Sequence, residues 1–174
     1  MKQVIINTYK FNELSEDAQA KAIDELRDIN TEHEWWDNMY DDAENVGLKI
    51  TSFDLDRNRH ADGKFIESAE HCANKIIADH GDMCETYKTA ENYLSERDSL
   101  IDTWERDDDG EFINEGDMDD KLNELDDDFL VDILEDYSIL LQNEYEYRCT
   151  DEAVIETIDA NEYDFLESGK IFNF

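Results

Sequence analysis

Between residues 121 and 147 the chain reads KLNELDDDFLVDILEDYSILLQNEYEY. Leu122, Leu125, Phe129, Ile133, Tyr137 and Leu140 recur at steps of three and four, the period of an amphipathic helix packed on a core. The other side carries Asp120, Glu124, Asp127, Asp128, Asp132, Glu135 and Asp136, mostly three or four apart, so the carboxylates stack along one flank. Like charges at that spacing oppose helix formation by roughly 0.2 to 0.5 kcal/mol per pair. Lysine, which an ordinary solvated helix mixes in for opposite-sign pairs, enters only at Lys121.

The remaining pattern predicts further elements on both sides of this helix. VIINTYKF near the start reads as a short strand, and Ser15 followed by Glu16 and Asp17 caps a helix running to about Ile29. Thr31 to Glu34 has the form of a capping box and predicts a second helix ending near Gly47. Within it Trp36, Tyr40 and Ala43 form one stripe and Trp35, Met39 and Val46 the next, a wide side that faces the core. LKITSFDLD alternates as a half-buried strand, and GKFIE reads as its return across the loop RNRHAD. That alternation puts Ile50 with Ser52 and Phe53 with Leu55, and leaves the inward face open.

Residues 68 to 80 are helical in period and stop at Gly81, read as a C′ glycine. A helix over about 84 to 105 buries Tyr87, Ala90, Tyr93, Leu94, Ile101 and Trp104, and residues 105 to 120 form an acidic connection with two glycines. Thr150 caps a last short helix, VIETIDA. EYDFLESGKIFNF reads as two strands turned at Glu167 to Lys170, where Gly169 supplies φ > 0. Helices and hairpins without a βαβ rhythm predict an α+β fold: one domain over residues 1–174, with about six helices packed against short antiparallel strands or hairpins. Asp62–Glu67 and Asp109–Asn114 share a DGxFI pattern with unmatched flanks, and chance similarity of two turn signals is favoured over duplication.

Charge changes this picture more than composition does. The formal net charge is -34 over 174 residues, against a magnitude of roughly 2 to 8 that keeps a small domain soluble. Such a field repels nucleic acid and anionic membrane and attracts basic protein surfaces or cations. Cys72, Cys84 and Cys149 have no framework spacing, the N-terminus lacks signal-peptide regions, and no apolar run approaches the roughly 20 residues that cross a bilayer. A soluble protein of a reducing cytoplasm is expected.

An EF-hand loop needs glycine at position six and a bidentate glutamate at twelve. Aligned on Gly110, the loop starts acceptably at Glu105, Asp107 and Asp109 but puts Gly116 at twelve; aligned on Gly63, it starts at Asn58 and ends on Ala69. His71, Cys72, His80 and Cys84 are close in sequence, yet His71 and Cys72 are adjacent on a helix and point about 100° apart, a poor zinc set. Nucleophile-elbow, phosphate-loop and dinucleotide patterns are absent. No catalytic residue, metal ligand or cofactor is therefore assigned, and the protein reads as a non-enzyme. Arg57 and Arg59, in the basic cluster FDLDRNRH, are expected to pair with surplus acids or touch a partner.

Three stretches, YKFNELSEDAQAKAI, EWWDNMYDDAENVGLKITSFDLDR and VIETIDANEYDFLESGKIF, resemble a family of small acidic proteins encoded by bacteriophages and prophages, mostly without assigned activity. The resemblance implies a phage origin and expression in the cytoplasm of a bacterial host. It brings no catalytic residues.

The charge then carries the functional expectation: an acidic inhibitor of DNA-mimic type, occupying the basic nucleic-acid groove of a host protein such as a restriction or CRISPR component. Duplex DNA carries one charge per about 1.7 Å of axis. Carboxylates one helical turn, about 5.4 Å, apart approach the spacing of alternate phosphates on one strand. The expected binding residues are Asp107, Asp108, Asp109, Asp119, Asp120, Glu124, Asp127, Asp128, Asp132, Glu135 and Asp136. Neither nucleic acid nor membrane is an expected partner. The alternative is a non-enzymatic phage regulatory or structural protein whose acidity serves solubility.

Overall fold

The computed structural model describes residues 5–172. After a single 3₁₀ turn at Phe11–Glu13 the elements are α1 (Glu16–Glu25), α2 (Asp37–Asn45), β1 (Leu48–Asp54), β2 (His60–Phe65), α3 (Ala69–Asp79), α4 (Glu85–Thr103), α5 (Glu115–Arg148) and α6 (Asp151–Ala160). The class is the expected one, α+β, with β1 and β2 pairing antiparallel. No helix among the described residues is long and apolar enough to cross a membrane.

Three hydroxyls start three of these helices, two of them, Ser15 and Thr150, at the caps read from the sequence. Ser15 accepts from the Ala18 amide at 3.4 Å, Ser68 from His71 at 3.1 Å and Thr150 from Ala153 at 3.2 Å, each satisfying a donor that the first turn leaves without an intrahelical partner. The expected capping box at Thr31 does not form. Thr31 turns its hydroxyl back to the Asp28 carbonyl at 3.2 Å, α1 ends at Glu25 rather than Ile29, and α2 begins only at Asp37 with Trp36 as its cap.

The described residues fall into two compact units, one made of the chain up to Trp35 and from Asn143 on, the other of Trp36–Gln142. In the first, Leu14, Ala18, Ala22 and Ile23 meet Val154, Ile158 and Phe165 in one core. Phe11 lies edge-on to Phe165, centroids 6.2 Å apart. The strands expected at the two ends of the sequence reduce here to isolated bridges, Tyr9 with Phe165 and Phe165 with Ile171; residues 1–4 and 173–174 of those readings lie outside the described residues. Gly169 does supply the turn, at φ +86°.

The second unit builds its core from α2, the hairpin, α3, α4 and α5, with Val46, Leu48, Ile76, Ile133 and Tyr137 fully buried. Gly47, at φ +87°, ends α2 in the left-handed conformation that glycine adopts without a Cβ penalty. The hairpin loop is shorter than expected, because His60, Ala61 and Asp62 belong to β2. Its register answers the question that alternation left open: Ile50 pairs with Gly63, Ser52 with Asp62 and Phe53 with Ala61. Thr51 is thus an extra residue, and the bulge turns Phe53 to the same side as Ile50. There Phe53 meets the rings of Trp36 and Tyr40 at 5.4 and 6.2 Å.

Gly81 does not take a positive φ, so α3 ends without the expected glycine cap. The two DGxFI segments differ in structure: Gly63 lies within β2, while Gly110 turns a loop at φ +86°.

Candidate functional site

The acidic connection is shorter than the sequence suggested, because α5 starts at Glu115 and takes Asp119 and Asp120 into its first turns. Within the remaining loop Asp107 serves the fold. Its Oδ1 accepts from the amides of Asp109 and Glu111, both at 2.9 Å, the side-chain turn that aspartate makes with its own backbone. Asp108 and Asp109 are exposed beside it.

On α5 the row Asp120, Glu124, Asp128, Asp132, Asp136 advances four residues at a time. Each such step turns about 40° past a full revolution, so the row winds slowly around the helix. It begins exposed at Asp120 and ends half-buried at Asp136, whose Oδ2 accepts from the Thr89 hydroxyl of α4 at 2.7 Å. Burial, together with Glu85, Asp132 and Glu135 nearby, pushes the Asp136 carboxyl above the usual carboxylate range, against the opposing hydrogen bond from Thr89. Glu124 is paired by Lys121. Glu135 is paired by Arg59, whose Nε also donates to the buried Ser138 hydroxyl at 3.1 Å, so one of the two loop arginines pairs internally.

Asp119, Asp120, Asp127, Asp128 and Asp132 have no ion-pair partner among the described residues. The structure therefore keeps most of the α5 flank together as an exposed ridge. It assigns Asp107, Glu135 and Asp136 to internal bonds, and Lys121 pairs Glu124 within the ridge itself.

Sequence reasoning passed over several carboxylates. Asp126 accepts from the Tyr93 hydroxyl at 2.6 Å, beneath a stack of Tyr93 on Phe129 with centroids 4.4 Å apart. Asp42 on α2 accepts from the fully buried Tyr137 hydroxyl at 2.8 Å and faces His80 Nε2 at 3.6 Å. His80 Nδ1 shares a hydrogen bond of 2.8 Å with the buried Thr86 hydroxyl. The His80 interaction, with a smaller contribution from Tyr137, holds the Asp42 carboxyl below its ordinary value despite partial burial. Glu96 stands on α4 opposite Asp128. A polar stripe at helical spacing, Asn92, Glu96, Ser99 and Thr103, was the available signal for it.

His71 lies beside Glu67 at the surface, while Cys72 is fully buried with its thiol pushed up to about 12 by desolvation. Among the described residues no three His, Cys, Asp or Glu side chains are grouped to hold a metal ion. No protein-family model, curated protein or solved structure matches the chain.

Proposed function

We infer that the protein is a phage-encoded acidic inhibitor that binds the basic nucleic-acid groove of a host protein, with a restriction or CRISPR component as the kind of target. The observation that carries this reading is the ridge on α5, where Asp120, Glu124, Asp128 and Asp132 advance about 6 Å per step along the axis and alternate phosphates of one strand advance about 6.8 Å. A protein that grips DNA does so largely with lysine and arginine on phosphate. A ridge of exposed carboxylates at similar pitch offers those cations the same pattern.

The second reading, acidity for solubility in a regulatory or structural phage protein, draws support from the carboxylates already engaged within the fold at Asp107, Glu135 and Asp136. Reversal of Asp120, Glu124, Asp127 and Asp128 to lysine separates the two readings. All four side chains are exposed, so circular dichroism should match wild type. Wild type should displace duplex DNA from a DNA-binding host protein and the variant should not. Equal displacement by both would reduce the flank to solvated surface.

A further inference from the structure

The stripe on α4 and the carboxylate ridge on α5 face each other across a groove. Asn92 and Glu96 bound one pocket of about 150 Å³ together with Asp128 and Asp132. Glu96, Ser99 and Thr103 bound a second of about 350 Å³ together with Glu124 and Asp128. Glu96, Leu125 and Asp128 line both, so the two pockets adjoin. From Asn92 to Thr103 the groove follows α4 for about 16 Å, at 1.5 Å per residue.

Its floor is apolar, and its walls set the carboxylates of Glu96, Glu124, Asp128 and Asp132 against one cation, Lys121, which pairs Glu124. Leu100 and Leu125 lie half-buried at the bottom of one pocket, and the Tyr93–Phe129 stack forms the end of the other. Glu96, Asp128 and Asp132 on the walls have no ion-pair partner among the described residues.

We propose that this groove is a docking site for a basic segment of the partner protein, which lays arginine side chains along it. The charge of the walls selects cations. The apolar floor then selects among them, because a guanidinium is weakly hydrated and planar, rests on leucine and aromatic surfaces and forks onto a carboxylate, whereas a lysine ammonium stays a hydrated point charge. The methylene stem of arginine covers Leu100 and Leu125 in the same act. The proposal rests on the reading of the protein as a binder of a basic host protein. It adds that the contact is a groove receiving side chains, as well as a ridge presented to a cleft.

The test uses the full chain and a fluorescein-labelled alanine-based helical peptide with arginines on one face, alongside the same peptide with lysines. Asn92→Trp with Ser99→Trp fills the groove without changing net charge, at two exposed positions. Wild type should prefer the arginine peptide, and the filled variant should bind it about tenfold more weakly or worse, a loss of about 1.4 kcal/mol, at unchanged circular dichroism. If the tryptophans disturb the fold, Glu96→Gln, which keeps the side-chain volume, should still weaken the arginine peptide severalfold more than it weakens the lysine peptide. Equal binding of the two peptides by wild type, or undiminished binding by the filled variant, would overturn the groove. Displacement of duplex DNA from a host protein by both wild type and filled variant would keep the inhibitor reading while removing the groove. Peptide preference without DNA displacement would do the reverse.

Discussion

Asp136 sits where the carboxylate row runs out of water. Burial and three neighbouring acids raise its affinity for a proton, so the folded state binds that proton at a pH where the unfolded chain has already lost it. Stability from this residue therefore falls as pH rises from the ordinary value of 3.8 through the raised folded value. Asp42 runs the other way. Its carboxyl is held low chiefly by His80, so its contribution is present above 3.8 and is lost as pH drops through its depressed value. Asp136→Asn keeps an acceptor for Thr89 and removes the crowded charge. Thermal melts should show the variant more stable than wild type at pH 7, with the difference vanishing as the pH is lowered to about 4. A variant less stable at pH 7 would mean that the carboxylate is compensated by something other than Thr89.

At the scale of elements, the long helix α5 holds the larger unit together because its buried positions widen along its length, from Phe129 through Ile133 and Leu134 to Ser138 and Leu141. The hairpin lies on that widened face, and Gly63 packs close against Leu134. A Cβ there would stand 2.7 Å from the Lys49 carbonyl oxygen and 2.8 Å from Leu134 Cδ2. One of these obstacles is backbone and cannot rotate away. Gly63→Ala should thus cost about 1 to 3 kcal/mol in chemical denaturation, the usual range for overpacking. A neutral result would show that β2 can slide off α5 without loss. The positive-φ strain that governs Gly47 and Gly169 plays no part at Gly63, so the expected loss measures packing alone.

For the whole molecule the governing quantity is self-repulsion. Forty-nine acids face fifteen lysines and arginines, and pairs such as Arg27 with Asp151, Arg59 with Glu135 and Arg97 with Glu70 use several of the available cations while most carboxylates remain in excess. Screening over a Debye length of about 10 Å at 0.1 M salt weakens that repulsion. The melting midpoint should consequently rise with sodium chloride from low to moderate concentration. A flat or falling midpoint would mean that the surplus charge is balanced within the fold, and the case for a partner that supplies the missing cations would lose its physical ground.

Local chemistry was legible in the sequence because it acts over three or four residues. The caps at Ser15 and Thr150, the turn at Gly169 and the stripe from Leu122 to Tyr137, though not its expected last member Leu140, which is exposed, all rest on near neighbours. The carboxylate ridge was legible for the same reason, as a row at constant step. Tertiary structure decided what no local step encodes. Thr51 bulges so that Phe53 reaches α2. Arg59 takes Glu135 out of the ridge across 76 residues, while Thr89 takes Asp136 across 47. Each depends on a partner distant in the chain, whose position is fixed only when the helices and hairpin pack. The groove between α4 and α5 belongs to that second kind: two polar stripes, each unremarkable on its own helix, become a walled site only because packing of Tyr93 on Phe129 brings them face to face.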